Sequence, residues 1–249
     1  MLNTILHGEP GEQPNLLIAH GLYGSARNWG VIAKRLSATR QVRAVDMRNH
    51  GSSGWKDTHS YPDMAQDLAE VIEGPTDVLG HSMGGKAVMT LALTYPEHIR
   101  RIVICDIAPV TYGHTQQGMI DAMRTVDLSK IDSRRDADEA LAQSVEDPGV
   151  RAFLLQSLDV KAKAWRLNLD VLEAEMAKII GFPHIDRSFE NPALFLSGAE
   201  SDYVGPEYRE KIKSLFPRAR FAKIPGAGHW LHADKPREFE ATVAAFLDA

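Results

Sequence analysis

The chain has 249 residues, 44% of them hydrophobic, and a formal net charge of −5 at pH 7. That size and composition suit one large α/β domain with a packed interior, and the acidic balance argues against a protein that tracks nucleic acid by neutralising phosphates. A single cysteine rules out an internal disulfide, and no apolar run approaches the roughly 18 to 20 residues of a membrane helix, so no integral membrane contact is expected.

The first ten residues carry no basic start followed by a long apolar run, so no secretory leader is expected and a cytoplasmic location is. Gly8 to Gly11 reads as a hairpin turn. Short apolar runs at 15–19, 42–45, 77–79, 102–105, 193–196 and 220–224 read as strands, with amphipathic helices between them at 64–72, 86–94 and 207–215. Strand and helix alternating in this way predict an α/β fold with a mostly parallel central sheet flanked by helices on both faces. The alternation stops over about 111–190, where no strand-like run appears and apolar residues recur at helical spacing, as in Ile120, Met123 and Val126 or Leu169, Leu172 and Met176. The expected organisation is therefore a core of 1–110 and 191–249 with a helical lid inserted at 111–190. The charge run from Asp132 to Glu139 reads as a solvated helix face.

Gly80-His81-Ser82-Met83-Gly84 follows a predicted strand and opens a predicted helix, the context in which G-x-S-x-G forms a nucleophile elbow. Glycines two positions either side of Ser82 let the turn close without side chains striking neighbouring backbone, and the helix start directs N–H groups at the site. The same stretch also approximates a phosphate-binding loop, Gly80-x4-Gly85-Lys86, but that loop needs Ser or Thr after the lysine to ligate magnesium, and here the residue is Ala87. The serine reading is preferred.

His20-Gly21-Leu22-Tyr23-Gly24 follows an earlier strand, so Leu22 and Met83 are the expected main-chain donors of an oxyanion hole. Gly226-Ala-Gly228-His229 lies between the last strand and the last helix, which makes His229 the expected general base; His232 is the second candidate and reads as structural. Elbow hydrolases run serine, acid, histidine along the chain, and two aspartates satisfy that order. Asp106 ends its strand directly and is favoured; Asp202 remains the alternative. Met119, Met123, Phe153 and Trp230 are the candidate substrate-binding residues. Cys105 reads as an inert core residue.

Asp46-Met-Arg48-Asn49-His50-Gly51, Gly80-His-Ser-Met-Gly-Gly-Lys86, Asp106-Ile-Ala-Pro-Val110 and Gly226-Ala-Gly-His-Trp-Leu-His-Ala233 together resemble the YbfF-type esterases of the α/β-hydrolase superfamily. The resemblance implies hydrolysis of small-molecule acyl esters or thioesters, without a cofactor or metal. It also implies Asp106 as the acid, because such members lack an acid at the position that here is Ser201. Arg48, Asn49 and His50 are expected to fix the loop beside the elbow, with an Asp46 contact. The alternatives are a slow-turnover ligand-binding sensor on the same fold, a carbon–carbon bond hydrolase, and the nucleotide hydrolase that Ala87 argues against. Oligomeric state is not readable from these motifs.

Overall fold

A computed structural model describes all 249 residues. Seven strands form the main sheet: β1 (Thr4–His7), β2 (Asn15–Ala19), β3 (Val42–Val45), β4 (Thr76–His81), β5 (Ile99–Cys105), β8 (Ala193–Gly198) and β9 (Ala219–Ile224). Their order is β1-β3-β2-β4-β5-β8-β9, and only β1 is antiparallel to its neighbour. The remaining two strands, β6 (Leu158–Asp159) and β7 (Ala164–Trp165), pair only with each other.

The continuous apolar runs follow from burial on both faces of a parallel sheet. In β2, Leu16 and Ile18 join one core while Leu17 and Ala19 join the other. The first core is closed by α1 (Gly30–Leu36) and by the C-terminal helix over Pro236–Leu247, through Trp29, Ile32, Phe239 and Val243. The second is closed by α2 (Tyr61–Ala69) and α3 (Met83–Thr94), and every residue of α3 from Met83 to Leu93 is buried. A helix this apolar on all sides must be covered all round.

Part of that cover comes from the chain between β5 and β8. It holds α4 (Gln117–Thr125), α5 (Arg134–Leu141), α6 (Pro148–Leu155), α7 (Leu169–Ala174) and α8 (Met176–Ile180), whose buried Ile120, Met123, Leu141, Leu154 and Leu172 belong to the same core as α3. α9 (Arg209–Leu215) adds Ile212 and Leu215 to this core, whereas Leu231 of the one-turn α10 (Leu231–Asp234), which precedes the C-terminal helix α11 (Pro236–Leu247), joins the first core.

The structure corrects the sequence reading in three places. The segment 4–7 is a strand, too short and polar at its ends to stand out. The turn after it is not a hairpin, because β1 pairs with β3 rather than with β2. The segment between β5 and β8 is not wholly helical, since the short β6–β7 pair lies within it. No helix is long and apolar enough to cross a membrane.

Candidate active site

β2 leads outward to β3, after which the chain returns to β4 on the other side of β2. Open α/β sheets gather ligands at such a switch point, beyond the carboxyl ends of the strands. The loops after β2, β4, β5, β8 and β9 all end there.

Ser82 joins β4 to α3 with φ 52° and ψ −120°, a left-handed conformation that costs a non-glycine residue about 1–3 kcal/mol. Surrounding backbone over-determines it: the Ser82 N–H donates to the Cys105 carbonyl at 3.0 Å, and its own carbonyl accepts from the Lys86 N–H at 3.1 Å. The flanking glycines are sterically required. A Cβ on Gly80 would stand 2.3 Å from the Gly84 carbonyl oxygen, and one on Gly84 would stand 2.4 Å from that of Ala19.

Asp106, fully buried just beyond β5, also has a positive φ, 53°. Its Oδ1 accepts from the Gly198 N–H at 3.1 Å, and its Oδ2 accepts from Ser201 Oγ at 2.5 Å and from His229 Nδ1 at 2.7 Å. Asp202 is exposed and makes no hydrogen bond to the histidine.

His229 leaves the β9–α10 loop with 23% of its side chain exposed. Its carbonyl accepts from His81 Nε2 at 2.8 Å, and the Tyr203 ring stacks on its imidazole at 4.2 Å between centroids. Burial pushes His81 well below its ordinary value, which keeps it neutral with its proton on Nε2. Tyr203 is held in turn by Tyr112, whose hydroxyl donates to the Tyr203 carbonyl at 2.7 Å and accepts from the Ala108 N–H at 2.8 Å. Ser82 and His229 line one cavity, with no direct hydrogen bond between hydroxyl and ring in this conformation. Such contacts tighten when substrate is bound.

Leu22 and Met83 line the same cavity. Met83 is the first residue of α3, so its N–H has no acceptor within the helix; the Leu22 N–H likewise has no protein partner. Two neutral histidines shape the loop that carries Leu22. His20 accepts the Met47 N–H on Nε2 at 2.9 Å, and His50 accepts the Tyr23 N–H on Nε2 at 3.2 Å, with their Nδ1 atoms turned to main-chain carbonyls. Burial lowers the imidazoles of both.

The loop after β3 clasps this assembly. Asp46 accepts from the N–H groups of Ala26 and Ser52 at 2.8 Å each, and Arg48 forms a bidentate pair with Asp67 at 2.6 and 2.9 Å. The same loop reaches the inserted segment: the Gly51 N–H donates to Arg166, and the Asn49 carbonyl accepts from the Asn168 N–H.

The cavity holds about 840 Å³ of empty space, its mouth included. Phe153 and Trp230 line it, 5.6 Å apart between ring centroids. Met119 and Met123 do not. Met123 is fully buried among the helices and Met119 is half-buried against the same core, so these two expected substrate-binding residues do not face the cavity. Nor does Lys86 face an open loop as a phosphate-binding lysine would; main-chain carbonyls surround its Nζ. No three His, Cys, Asp or Glu side chains gather in a way that would hold a metal ion.

Three contributors escaped the sequence reading. The sequence marks position 201 only by the absence of an acid, whereas the Ser201 hydroxyl is itself a donor to Asp106. His81 and Tyr203 carry no local signal, since each matters only through its approach to His229, 148 and 26 positions away.

A mostly parallel sheet with a strained serine elbow at its switch point, and an acid–histidine pair held by the loops after later strands, defines the α/β-hydrolase class. The chain belongs to the alpha/beta hydrolase family, whose pattern matches residues 16–242. It is 38% identical to Esterase YbfF of Escherichia coli (strain K12), over 94% of this chain and 92% of that one. It is 40% identical to the sn-1-specific diacylglycerol lipase ABHD11 of Mus musculus, over 94% of this chain and 81% of that one. The solved structure of a marine microorganism esterase superposes with a TM-score of 0.93 at 37% identity, covering 98% of each chain. The resemblance to YbfF-type esterases read from the motifs is borne out.

Proposed function

We propose that this protein is a carboxylesterase-type serine hydrolase that cleaves acyl esters through a covalent acyl-enzyme on Ser82. His229 takes the hydroxyl proton as Ser82 attacks the carbonyl carbon, and Asp106 orients the ring and stabilises the imidazolium. The N–H groups of Leu22 and Met83 receive the oxyanion, a contribution worth about 100- to 1,000-fold for each donor in such sites. The imidazolium protonates the departing alcohol, and water activated by the same ring releases the acid. The observation that carries this reading is the 2.7 Å contact between Asp106 and His229 at the cavity that Ser82 also lines.

The segment 111–190 acts as a lid in this reading, with Phe153 and Trp230 meeting the apolar part of the substrate. The substrate is a small acyl ester, or a thioester with the same acyl group; the esterase and diacylglycerol lipase among the relatives put simple esters and glycerolipid esters first in the panel to test. A cytoplasmic location completes the reading.

Labelling with a fluorophosphonate, followed by mapping of the modified peptide, tests it. A single adduct on Ser82 is expected, and Ser82→Ala should abolish both the adduct and hydrolysis, a loss on the order of a million-fold. An adduct elsewhere, or undiminished hydrolysis by folded Ser82→Ala protein, sinks the proposal.

A further inference from the structure

Lys86 is buried to 1% exposure, one turn into the helix that begins at the elbow, and no carboxylate pairs with it. Its Nζ donates to the Val110 carbonyl at 2.7 Å, to Ile180 at 2.8 Å and to Gly181 at 2.6 Å. An ammonium has three N–H donors, and all three are used. The Tyr112 ring lies 4.7 Å from the nitrogen and the Tyr61 ring 5.8 Å. Val110 is where the chain leaves the sheet for the inserted helices, and Ile180 and Gly181 are where it comes back from them.

We propose that Lys86 is a positioning residue whose ammonium ties both ends of the inserted segment to the nucleophile helix, and so holds the cavity wall made by Tyr61, Tyr112, Ile179 and Ile180. A neutral amine has two N–H groups and a lone pair, so it would point that lone pair at a carbonyl oxygen and lose one of the three bonds of the clasp. Methionine would leave all three carbonyls without this donor. Burial lowers Lys86 to about 7, so the clasp weakens as the pH rises through neutrality. Of the groups facing it, Tyr61 from α2 and Tyr112 from the segment after β5 are both raised by burial and stay neutral in that range. From α8, Lys178 is more than half exposed and pairs with Glu175.

Hydrogen exchange tests the clasp without reference to catalysis. In the unmodified protein, protection of peptides covering 108–112 and 179–183, corrected for intrinsic rates, should fall together by about tenfold between about pH 6 and pH 8.5, the scale of one charge-assisted hydrogen bond. In Lys86→Met it should be low at both pH values. Protection in Lys86→Met equal to that of the unmodified protein at pH 6 overturns the clasp, and unchanged protection of the unmodified protein between about pH 6 and pH 8.5 overturns its pH dependence. The effect on the substrate rests on the proposed esterase reading. In Lys86→Met, KM for a decanoyl ester should rise about tenfold more than KM for an acetyl ester. An equal change for both esters overturns the positioning role. Fluorophosphonate labelling of Ser82 in the unmodified protein reports on the esterase reading independently.

Discussion

One carboxylate oxygen, Asp106 Oδ2, accepts from His229 Nδ1 at 2.7 Å and from Ser201 Oγ at 2.5 Å, and so joins the loops after β5, β8 and β9. The neighbouring Asp202 stands in solvent and takes no part in this junction.

Asp106→Asn should therefore lower kcat by about 10⁴-fold, because an amide beside Nδ1 favours the wrong histidine tautomer. Asp202→Asn should stay within about threefold of the unmodified enzyme, as expected for an exposed group outside the network. Steady-state hydrolysis of a p-nitrophenyl ester measures both, and the opposite ranking would move the acid to Asp202.

Ser201→Ala removes one of three donors to Asp106 and leaves the histidine contact in place. A fall in kcat of about tenfold with little change in KM is expected, the scale of a hydrogen bond to a charged group. An unchanged kcat would show that the hydroxyl does not support the acid.

Met123 and Phe153 should separate stability from specificity. Met123→Ala empties a fully buried site and should destabilise the fold by about 2–5 kcal/mol, with acyl chain-length preference unchanged. Phe153→Ala opens the cavity beside Trp230 and should shift preference toward longer chains. Denaturant melts and an ester series read the two effects, and a chain-length shift in the Met123 variant would contradict this division.

Acid should unfold the protein through its buried histidines. Burial lowers His59 and His232 to about 3, and lowers His20, His50 and His81 as well. The folded state keeps these rings neutral, whereas the unfolded chain binds protons at the ordinary value of 6.5. Above that value they add no pH dependence. Below it the unfolded state binds more protons, and each ring removes up to about 1.4 kcal/mol of stability per pH unit until its folded value is reached. The urea midpoint should fall steeply from pH 6.5 toward pH 4.5, and a flat midpoint over that range would contradict the neutral cluster.

Much of the fold was legible because it rests on local patterns. The run Leu16 to Ala19 is apolar at every position since both of its faces are covered, and Gly80 and Gly84 bracket Ser82 because no Cβ fits there. Such constraints act between residues close in the chain, so composition and spacing expose them. β1 was missed for the same reason: its four residues alternate weakly at a sheet edge, and its partner β3 lies nearly forty positions away.

The sequence alone determined which residue types stand at strand ends: a hydroxyl at 82, carboxylates at 106 and 202, an imidazole at 229. Tertiary structure alone placed Asp106, and not Asp202, against the His229 ring, since that contact depends on where β8 and β9 bring Ser201 and His229 relative to the end of β5. It also sent Met123 into the core and Phe153 into the cavity, although both sit on helices with similar apolar spacing, and it turned Lys86 toward carbonyls from both ends of the insertion. Spacing along the chain specifies which face of an element is apolar; only the packing of distant elements specifies what that face meets.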